Sequence, residues 1–173
     1  MASINSNELK AYSDKYQGDI LGFLQDLVQI PSVNGWETEK AVAVRVLKEA
    51  QKWELPARLV ARDTDRPNAL VTIGEGEKGF ALIGHMDTVA EGKREDWTFP
   101  PFSATLDGNL LFGRGAADNK AGITCGLYTL VLLRESGLLD MENIYVTLAG
   151  AVDKESGACS PLGVRYLLDS GSL

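Results

Sequence analysis

The sequence predicts an α/β fold with a mixed sheet flanked by helices. Runs with apolar residues at three- and four-residue spacing, which indicate amphipathic helices, alternate with short runs rich in Val, Ile and Leu, which indicate strands. No segment of the chain repeats another. A length of 173 residues suits one domain with a sizeable core and is short for two, so we expect a single domain over residues 1–173.

Two amphipathic helices come first. Residues 8–30, "ELKAYSDKYQGDILGFLQDLVQI", carry the helical spacing and stop before Pro31, which disfavours continuation of a helix. Residues 36–53, "WETEKAVAVRVLKEAQKW", predict a second helix. Its first turn is expected to hold acids, where a negative charge suits the helix dipole.

Three strand-like runs follow, at residues 56–62, 68–74 and 79–89. The third, "GFALIGHMDTV", has an apolar front half. Such a run is typical of a strand covered by helices on both sides. It therefore predicts a central strand that is buried on both faces.

The glycines of "GEGEKG" match the dinucleotide pattern G-x-G-x-x-G at Gly74, Gly76 and Gly79. That pattern binds pyrophosphate only where a helix follows it. Here a strand follows, and Glu75 and Glu77 would repel phosphate. A hairpin loop is the better interpretation.

The second half of the chain begins with a long loop, residues 88–109, rich in Pro, Asp and Gly. Loops of this length are usually functional or disordered. The elements predicted after it are a short strand at 109–113, an apolar helix at 120–136, a buried strand at 143–152 and a last helix that ends at Asp169. Ser160 and Pro161 are suited to the N-cap and first position of that last helix.

Composition and net charge argue against several classes of function and partner. A net charge of −7 without a basic cluster argues against nucleic acid or an anionic membrane as a partner and suits a protein that attracts cations. No apolar run reaches the roughly 18 residues of a membrane span, and the N-terminus lacks a signal-peptide pattern. Cys125 and Cys159 form no CxxC pair, so we expect free thiols and a cytoplasmic protein. The single histidine means that this chain alone cannot supply a site with two imidazoles.

Three segments carry candidate site residues. His85 and Asp87 lie at the end of the third strand-like run on the same side of the chain, so the carboxylate can accompany the imidazole; the alternative is a polar pair that caps a strand. Asp118 follows a glycine turn before a helix and is either an N-cap or a carboxylate that bridges two metal ions. "VDKESGA", residues 152–158, places Lys154 between two acids after a buried strand, a setting that indicates a metal or acid–base site.

Taken together, these motifs resemble a known family. "GHMDTV" (84–89), Trp97 with the "PPF" that follows it (100–102), "DGNLLFGRGAADNKAG" (107–122) and "VDKESGA" are similar, in this order, to motifs of the dinuclear zinc amidohydrolases and exopeptidases of peptidase family M20. The resemblance extends from about Ile30 to Leu168. It implies a zinc-exopeptidase-like catalytic domain that cleaves an amide of an N-acyl amino acid or a small peptide.

The resemblance also implies a role for each matching residue. His85, Asp118 and Glu155 would be metal ligands for two Zn²⁺ or Co²⁺ ions, with Asp118 as the bridging carboxylate. Asp87 would orient the site. The Asp118–Asn119 peptide would be cis. Lys154 stands where the family has the glutamate that acts as general base.

Two departures from the family follow. A lysine has a pKa of about 10.4 and is normally protonated, so Lys154 is a poor general base unless burial lowers its pKa. Asp153 is an alternative base, but adjacent side chains point in opposite directions. Family members are also about twice as long and supply a further acid and a histidine ligand beyond the last motif, whereas the residues after Glu155 include Asp169 as their only acid and no histidine.

We therefore expect a catalytic domain that is incomplete at its C-terminus, lacks the smaller lid or dimerisation domain, and is inactive alone. One alternative is half of a split enzyme, completed by a C-terminal chain or in a homodimer. Another is a non-catalytic scaffold or binding module that reuses the fold. A third is an unrelated α/β domain with chance motifs.

Overall fold

The computed structural model describes residues 6–157 and 160–173. Its helices are α1 (Ser6–Gln29), α2 (Lys40–Lys52), α3 (Ala121–Ser136) and α4 (Val164–Asp169). Its strands are β1 (Ala57–Val60), β2 (Asn68–Ile73), β3 (Lys78–His85), β4 (Thr105–Asp107), β5 (Leu110–Phe112) and β6 (Ile144–Ala151). The α/β class is confirmed.

Ala158 and Cys159 lie outside the described residues, so the prediction of free thiols is met for Cys125 alone, which is exposed and unpaired.

The main sheet has the strand order β1-β2-β6-β3. β1, β2 and β6 pair in antiparallel fashion, whereas β3 runs parallel to β6, so the sheet is mixed, as predicted. In the parallel pair His85 is the register partner of Ala151. The carboxyl ends of β3 and β6 therefore meet at one edge of the sheet.

The prediction that β3 is a central strand buried on both faces is wrong. β3 lies at the edge of the sheet, where Phe80 is 67% and Ile83 53% exposed. The interior strands are β2 and β6, and β6 is buried from Val146 to Ala151. An apolar run predicts a strand without indicating how many neighbours that strand has, which is why the sequence pattern misplaced it.

The "GEGEKG" segment is a loop, but it does not close a hairpin. β6 lies between β2 and β3, so the segment has to cross the start of β6. At Gly76 a Cβ would lie 1.8 Å from the backbone carbon of Asn143. Gly74 has φ +80° and is similarly close to Ile144. These glycines therefore allow a close backbone crossing, and no helix follows them that could bind a pyrophosphate.

Three boundaries differ from the predicted ones. α2 begins at Lys40, so Glu39 is its N-cap residue and its first turn holds no acid. α4 begins at Val164 after Gly163, because the Ser160 hydroxyl accepts a hydrogen bond from the Leu162 N–H (3.1 Å) and closes a turn before the helix. The long loop contains β4, which pairs with β5 in a small hairpin.

The core lies between one face of the sheet and helices α1, α2 and α3. Its buried side chains include Phe23, Leu27, Val46, Leu127 and Leu148. On the opposite face, α4 covers Leu70 and Ala149 with Leu167. Within the described residues, no helix is both long and apolar enough to span a membrane.

Glu49 of α2 is a buried acid in this core, only 3% exposed. Its carboxylate accepts hydrogen bonds from the hydroxyl of Tyr128 (2.6 Å), the guanidinium of Arg45 (2.8 Å) and the indole N–H of Trp53 (3.1 Å). Burial alone would raise the pKa of Glu49, but these donors outweigh it and the pKa is lowered. The ionised carboxylate therefore ties α2 to α3.

Replacing Glu49 should destabilise the fold strongly. Glu49→Ala leaves the Tyr128 hydroxyl and Arg45 without their buried partner and is expected to lower the free energy of unfolding by about 2–4 kcal/mol, as measured by urea unfolding. Because the folded pKa of Glu49 is depressed, its contribution is present above the unfolded pKa and lost as pH falls through the folded pKa. Glu49→Gln should flatten this acid dependence.

The control is Asp26→Ala, which removes the half-exposed partner of Arg45 (2.9 Å, 52% exposed). Because exposed ion pairs contribute little, that variant should lose less than about 1 kcal/mol. Equal losses in the two variants would contradict the role given to Glu49.

Candidate metal centre

Three candidate ligands meet at the carboxyl edge of the β3–β6 pair. His85 ends β3, Glu155 lies in the loop after β6, and Asp118 precedes α3. His85 Nε2 is 2.9 Å from Asp118 Oδ1 and 3.8 Å from Glu155 Oε1. One ligand atom from each residue lies within 4.8 Å of the others. The structure thus brings together the three residues predicted as metal ligands.

The backbone before α3 turns Asp118 toward His85. Asp118 and Asn119 have non-helical dihedral angles, and the peptide between them is cis, as the resemblance implied. α3 has Lys120 as its N-cap residue, without a side-chain cap. Asp118 is 70% exposed and contacts His85, so the alternative of a helix-capping aspartate is not what the structure shows.

Asp87 is fully buried beneath the cluster. Its Oδ2 accepts hydrogen bonds from the Asn34 side-chain amide (2.7 Å) and from the Glu155 N–H (2.8 Å). His85 Nδ1 lies 3.0 Å from the Asp87 carbonyl oxygen and 3.3 Å from its Oδ1. Asp87 thus fixes the ring through Nδ1 and leaves Nε2 facing Asp118, which is more than a polar cap on the strand does.

Hydrogen bonds also determine the charge states of Asp87 and His85. Burial alone would raise the pKa of Asp87, but donors that include His85 and Asn34 lower it to about 2. Burial alone would lower the pKa of His85, but contacts with Asp87 and Asp118 raise it above its ordinary value. The edge of the sheet is therefore anionic, and its imidazole is prone to protonation in the absence of another cation.

Lys154 reaches the same cluster from its exposed side. Its ammonium is 3.1 Å from Glu155 Oε1 and 4.0 Å from Asp118 Oδ2. The hydrogen bond to Glu155 raises the pKa of Lys154, so the residue at the predicted base position carries a positive charge. Asp153 turns away from the cluster, since its Oδ1 accepts hydrogen bonds from Arg66 and Asn34.

Asn34 contacts Asp87, and Glu39 and Arg66 contact Asp153 beside the cluster. None of the three was identified from the sequence. Arg66 lies in the polar segment "RDTDRPN", where a charged residue ordinarily faces solvent. Glu39 belongs to the segment where acids were expected to suit the dipole of the second helix, yet its side chain is 1% exposed and paired with Arg66 (2.5 Å). A polar residue in a turn before a buried strand was the only available signal.

The residues match a family model over more than half of the chain. Residues 81–172 match the model for peptidase family M20/M25/M40. The chain belongs to this family. The family resemblance seen in the motifs is thereby confirmed.

Individual relatives agree with the family assignment. The chain is 31% identical over 155 residues to a probable succinyl-diaminopimelate desuccinylase of Staphylococcus epidermidis, covering 90% of this chain and 36% of that protein. The M20 family metallo-carboxypeptidase Sso-CP2 of Sulfolobus solfataricus has a TM-score of 0.73 at 22% identity, over 89% of this chain and 35% of that one. Human carnosine dipeptidase 1 has a TM-score of 0.69 at 18% identity, over 92% and 36%. The chain thus spans about a third of the length of these relatives.

The residues present fit one divalent ion. With metal–ligand bonds of about 2.0–2.2 Å, ligand atoms around a tetrahedral zinc lie roughly 3.3 Å apart. The distances of 2.9 and 3.8 Å from His85 Nε2 bracket that value. One imidazole and two carboxylates form a ligand set of the type that catalytic zinc sites use. The other carboxylate oxygen of Asp118, Oδ2, lies 4.0 Å from the ammonium of Lys154.

The single histidine makes the charge state of the site measurable by NMR. In the metal-free protein we expect the His85 imidazole to titrate above its ordinary value of about 6.5. Because this folded pKa is raised, protonation stabilises the fold below the unfolded pKa, and that contribution is lost as pH rises through the folded pKa. Asp87→Asn should lower the pKa of His85, because it removes a negative charge that offsets the effect of burial on the imidazole.

The matched control is Asp107→Asn, a change of the same chemistry at an exposed residue of β4. It should leave the His85 titration unchanged. If Asp87→Asn also leaves it unchanged, Asp87 does not act on the imidazole.

Proposed function

We propose that this protein is a metal-dependent amide hydrolase of the M20 type that acts on an N-acyl amino acid or a small peptide. The observation that carries the proposal is the meeting of His85, Asp118 and Glu155 at the carboxyl edge of the parallel strand pair. Family membership supports it. So do the names of relatives, a desuccinylase and two peptidases, which point to the cleavage of amide bonds.

A cavity beside the cluster supports a small substrate. It has a volume of about 480 Å³, and its lining includes His85, Lys154, Ile83, Val164 and Arg165. Cavities of this size accommodate small organic ligands. The mixture of apolar and cationic walls suits a substrate with an acyl group and a carboxylate.

The ion would be held by His85 Nε2 and by the carboxylates of Asp118 and Glu155. A divalent zinc or cobalt ion there supplies Lewis-acid polarisation of an amide carbonyl. Asp87 contributes by keeping the imidazole oriented through Nδ1, the arrangement usual for ligating histidines. The second ion that the resemblance implies needs further ligands, which we propose come from a complementing C-terminal chain or a homodimer.

Lys154 limits proton transfer at this site. Amide hydrolysis needs a base that takes a proton from water and delivers it to the leaving amine, and positioned bases contribute about 10²–10⁴-fold. An ammonium with a raised pKa cannot accept that proton at neutral pH. We therefore propose that this chain binds metal but turns over slowly or not at all.

A second candidate function is a non-catalytic binding module built on the hydrolase fold. The cationic Lys154 among the ligands favours it, since the charge opposes both metal loading and base catalysis. A stable monomer that binds no metal would support the binding module over the hydrolase.

Metal titration tests the site directly. We expect one Co²⁺ or Zn²⁺ ion per chain by native mass spectrometry and calorimetry, and His85→Ala should weaken binding by more than about 100-fold because it removes the only nitrogen ligand. The control Asp107→Ala removes an acid outside the cluster and should bind as the unchanged protein does. Equal affinity in His85→Ala would place the metal elsewhere.

Two replacements of Lys154 separate its charge from its missing basicity. Lys154→Gln removes the positive charge and should tighten metal binding without raising the rate. Lys154→Glu should do both, with a rate increase of about 10²–10⁴-fold. The rates are measured on N-succinyl and N-acetyl amino acids, in a chimera that continues this chain with the rest of a succinyl-diaminopimelate desuccinylase. A chimera that is fully active with Lys154 in place would show that Lys154 is not at the base position or is itself a base.

A further inference from the structure

A buried ion pair outside the metal cluster contacts the loop that carries Glu155. Arg66 donates to both oxygens of Glu39, at 2.9 Å through Nε and 2.5 Å through Nη2. The side chain of Glu39 is 1% exposed and that of Arg66 is 18% exposed. Since buried charges are costly unless paired, this bidentate contact stabilises both groups and fixes their positions.

Both members of the pair hold Asp153, the first residue of the Asp-Lys-Glu segment. The backbone N–H of Asp153 donates to Glu39 Oε1 (3.1 Å), and its Oδ1 accepts from Arg66 Nη1 (3.0 Å). Asp153 has φ +60°, a left-handed conformation that is unfavourable for residues other than glycine and persists where the surroundings enforce it. The ion pair supplies that constraint from α2 and from the turn before β2.

Asn34 links this arrangement to the buried aspartate beneath the metal ligands. Its side-chain NH₂ group donates to Asp153 Oδ1 (2.9 Å) and to Asp87 Oδ2 (2.7 Å). Two carboxylates accept hydrogen bonds only from this end of an amide, so the orientation of the amide is determined. The same Asp87 oxygen accepts the N–H of Glu155 (2.8 Å), which closes a continuous network around the turn.

We infer that Arg66 and Glu39 are positioning residues of the metal centre. They hold Asp153 in the left-handed turn from which Glu155 reaches His85, although neither belongs to the ligand cluster. Without the guanidinium, the buried carboxylates of Glu39 and Asp153 lose their shared cation, and the turn loses its contact with the body of the fold. Glu155 is then no longer held within reach of the other ligands.

The test compares Arg66→Ala with Arg45→Ala, a closely matched control. Arg45 also pairs with a buried acid of α2, Glu49, and its side chain is 22% exposed. Among the described residues its ion-pair partners are Glu49 and Asp26, and neither lies in the loop after β6. Both variants should lose stability. Amide hydrogen exchange is followed by NMR. Only Arg66→Ala should accelerate exchange of the Asp153 and Glu155 amide hydrogens, by at least about tenfold more than its loss of global stability accounts for.

Metal binding gives a second readout. Loss of residues that orient metal ligands typically weakens affinity about 10–100-fold, and we expect a loss in this range for Co²⁺ with Arg66→Ala, together with a changed visible absorption spectrum. Arg66→Lys keeps the charge without the planar fork and should recover part of the affinity. It also serves as the test variant if Arg66→Ala does not fold.

The outcomes are distinguishable. If Arg66→Ala and Arg45→Ala change amide exchange and Co²⁺ affinity equally, the ion pair is merely structural and the inference is wrong. The affinity readout rests on the proposed function, and an unchanged protein that binds no Co²⁺ would overturn that proposal. The amide-exchange comparison needs no metal, and it would still decide whether Arg66 holds the turn.

Discussion

The parallel pairing of β3 with β6 is the constraint on which the candidate site depends. Because the two strands run in the same direction and His85 is in register with Ala151, the loop that follows β6 begins beside the imidazole. An antiparallel arrangement would place the two chain segments at opposite edges of the sheet. The crossing of "GEGEKG" over β6 makes the arrangement possible, since it lets β3 bypass its neighbour in sequence and pair with a strand that lies more than fifty residues further along the chain.

Charge at this edge is organised in two layers. Asp87 and Asp153 are buried carboxylates with lowered pKa values. Hydrogen bonds from His85 and Asn34 to Asp87, and contacts of Ser160, Asn34 and Arg66 with Asp153, keep them ionised against the cost of burial. Asp118 and Glu155 lie above them, closer to solvent, with Lys154 as the nearest ammonium. The lower layer is neutralised by the protein itself, so the upper layer is the part of the site that is available to an external cation.

The sequence was most informative where a residue able to bind a metal also stands at the end of a predicted strand or at a turn. His85, Asp118 and Glu155 follow strand ends or a glycine turn, so their meeting point was predictable from an α/β pattern together with the motifs. The edge position of β3 was not predictable, because Phe80 and Ile83 read as core residues until the strand order is known. Arg66 and Glu39 were not identified from the sequence for a related reason. Their partners are remote in sequence, since Asp153 lies 87 positions after Arg66. Only the folded topology shows that this turn residue contacts the loop after β6.

In the proposed site, holding a cation and moving a proton would depend on different residues, and Lys154 bears on the second of these tasks. The contacts that join His85 to Asp118, Glu155 and Asp87 do not involve the side chain of Lys154. That side chain instead contacts the ligands from the solvent side, where its ammonium acts as a tethered counter-ion for Asp118 and Glu155. In the proposed metal site, a lysine at this position would therefore alter the proton chemistry and compete with a metal ion for the same two carboxylates. The geometry that brings those carboxylates to His85 is set by strand pairing and by the buried network around Asp153.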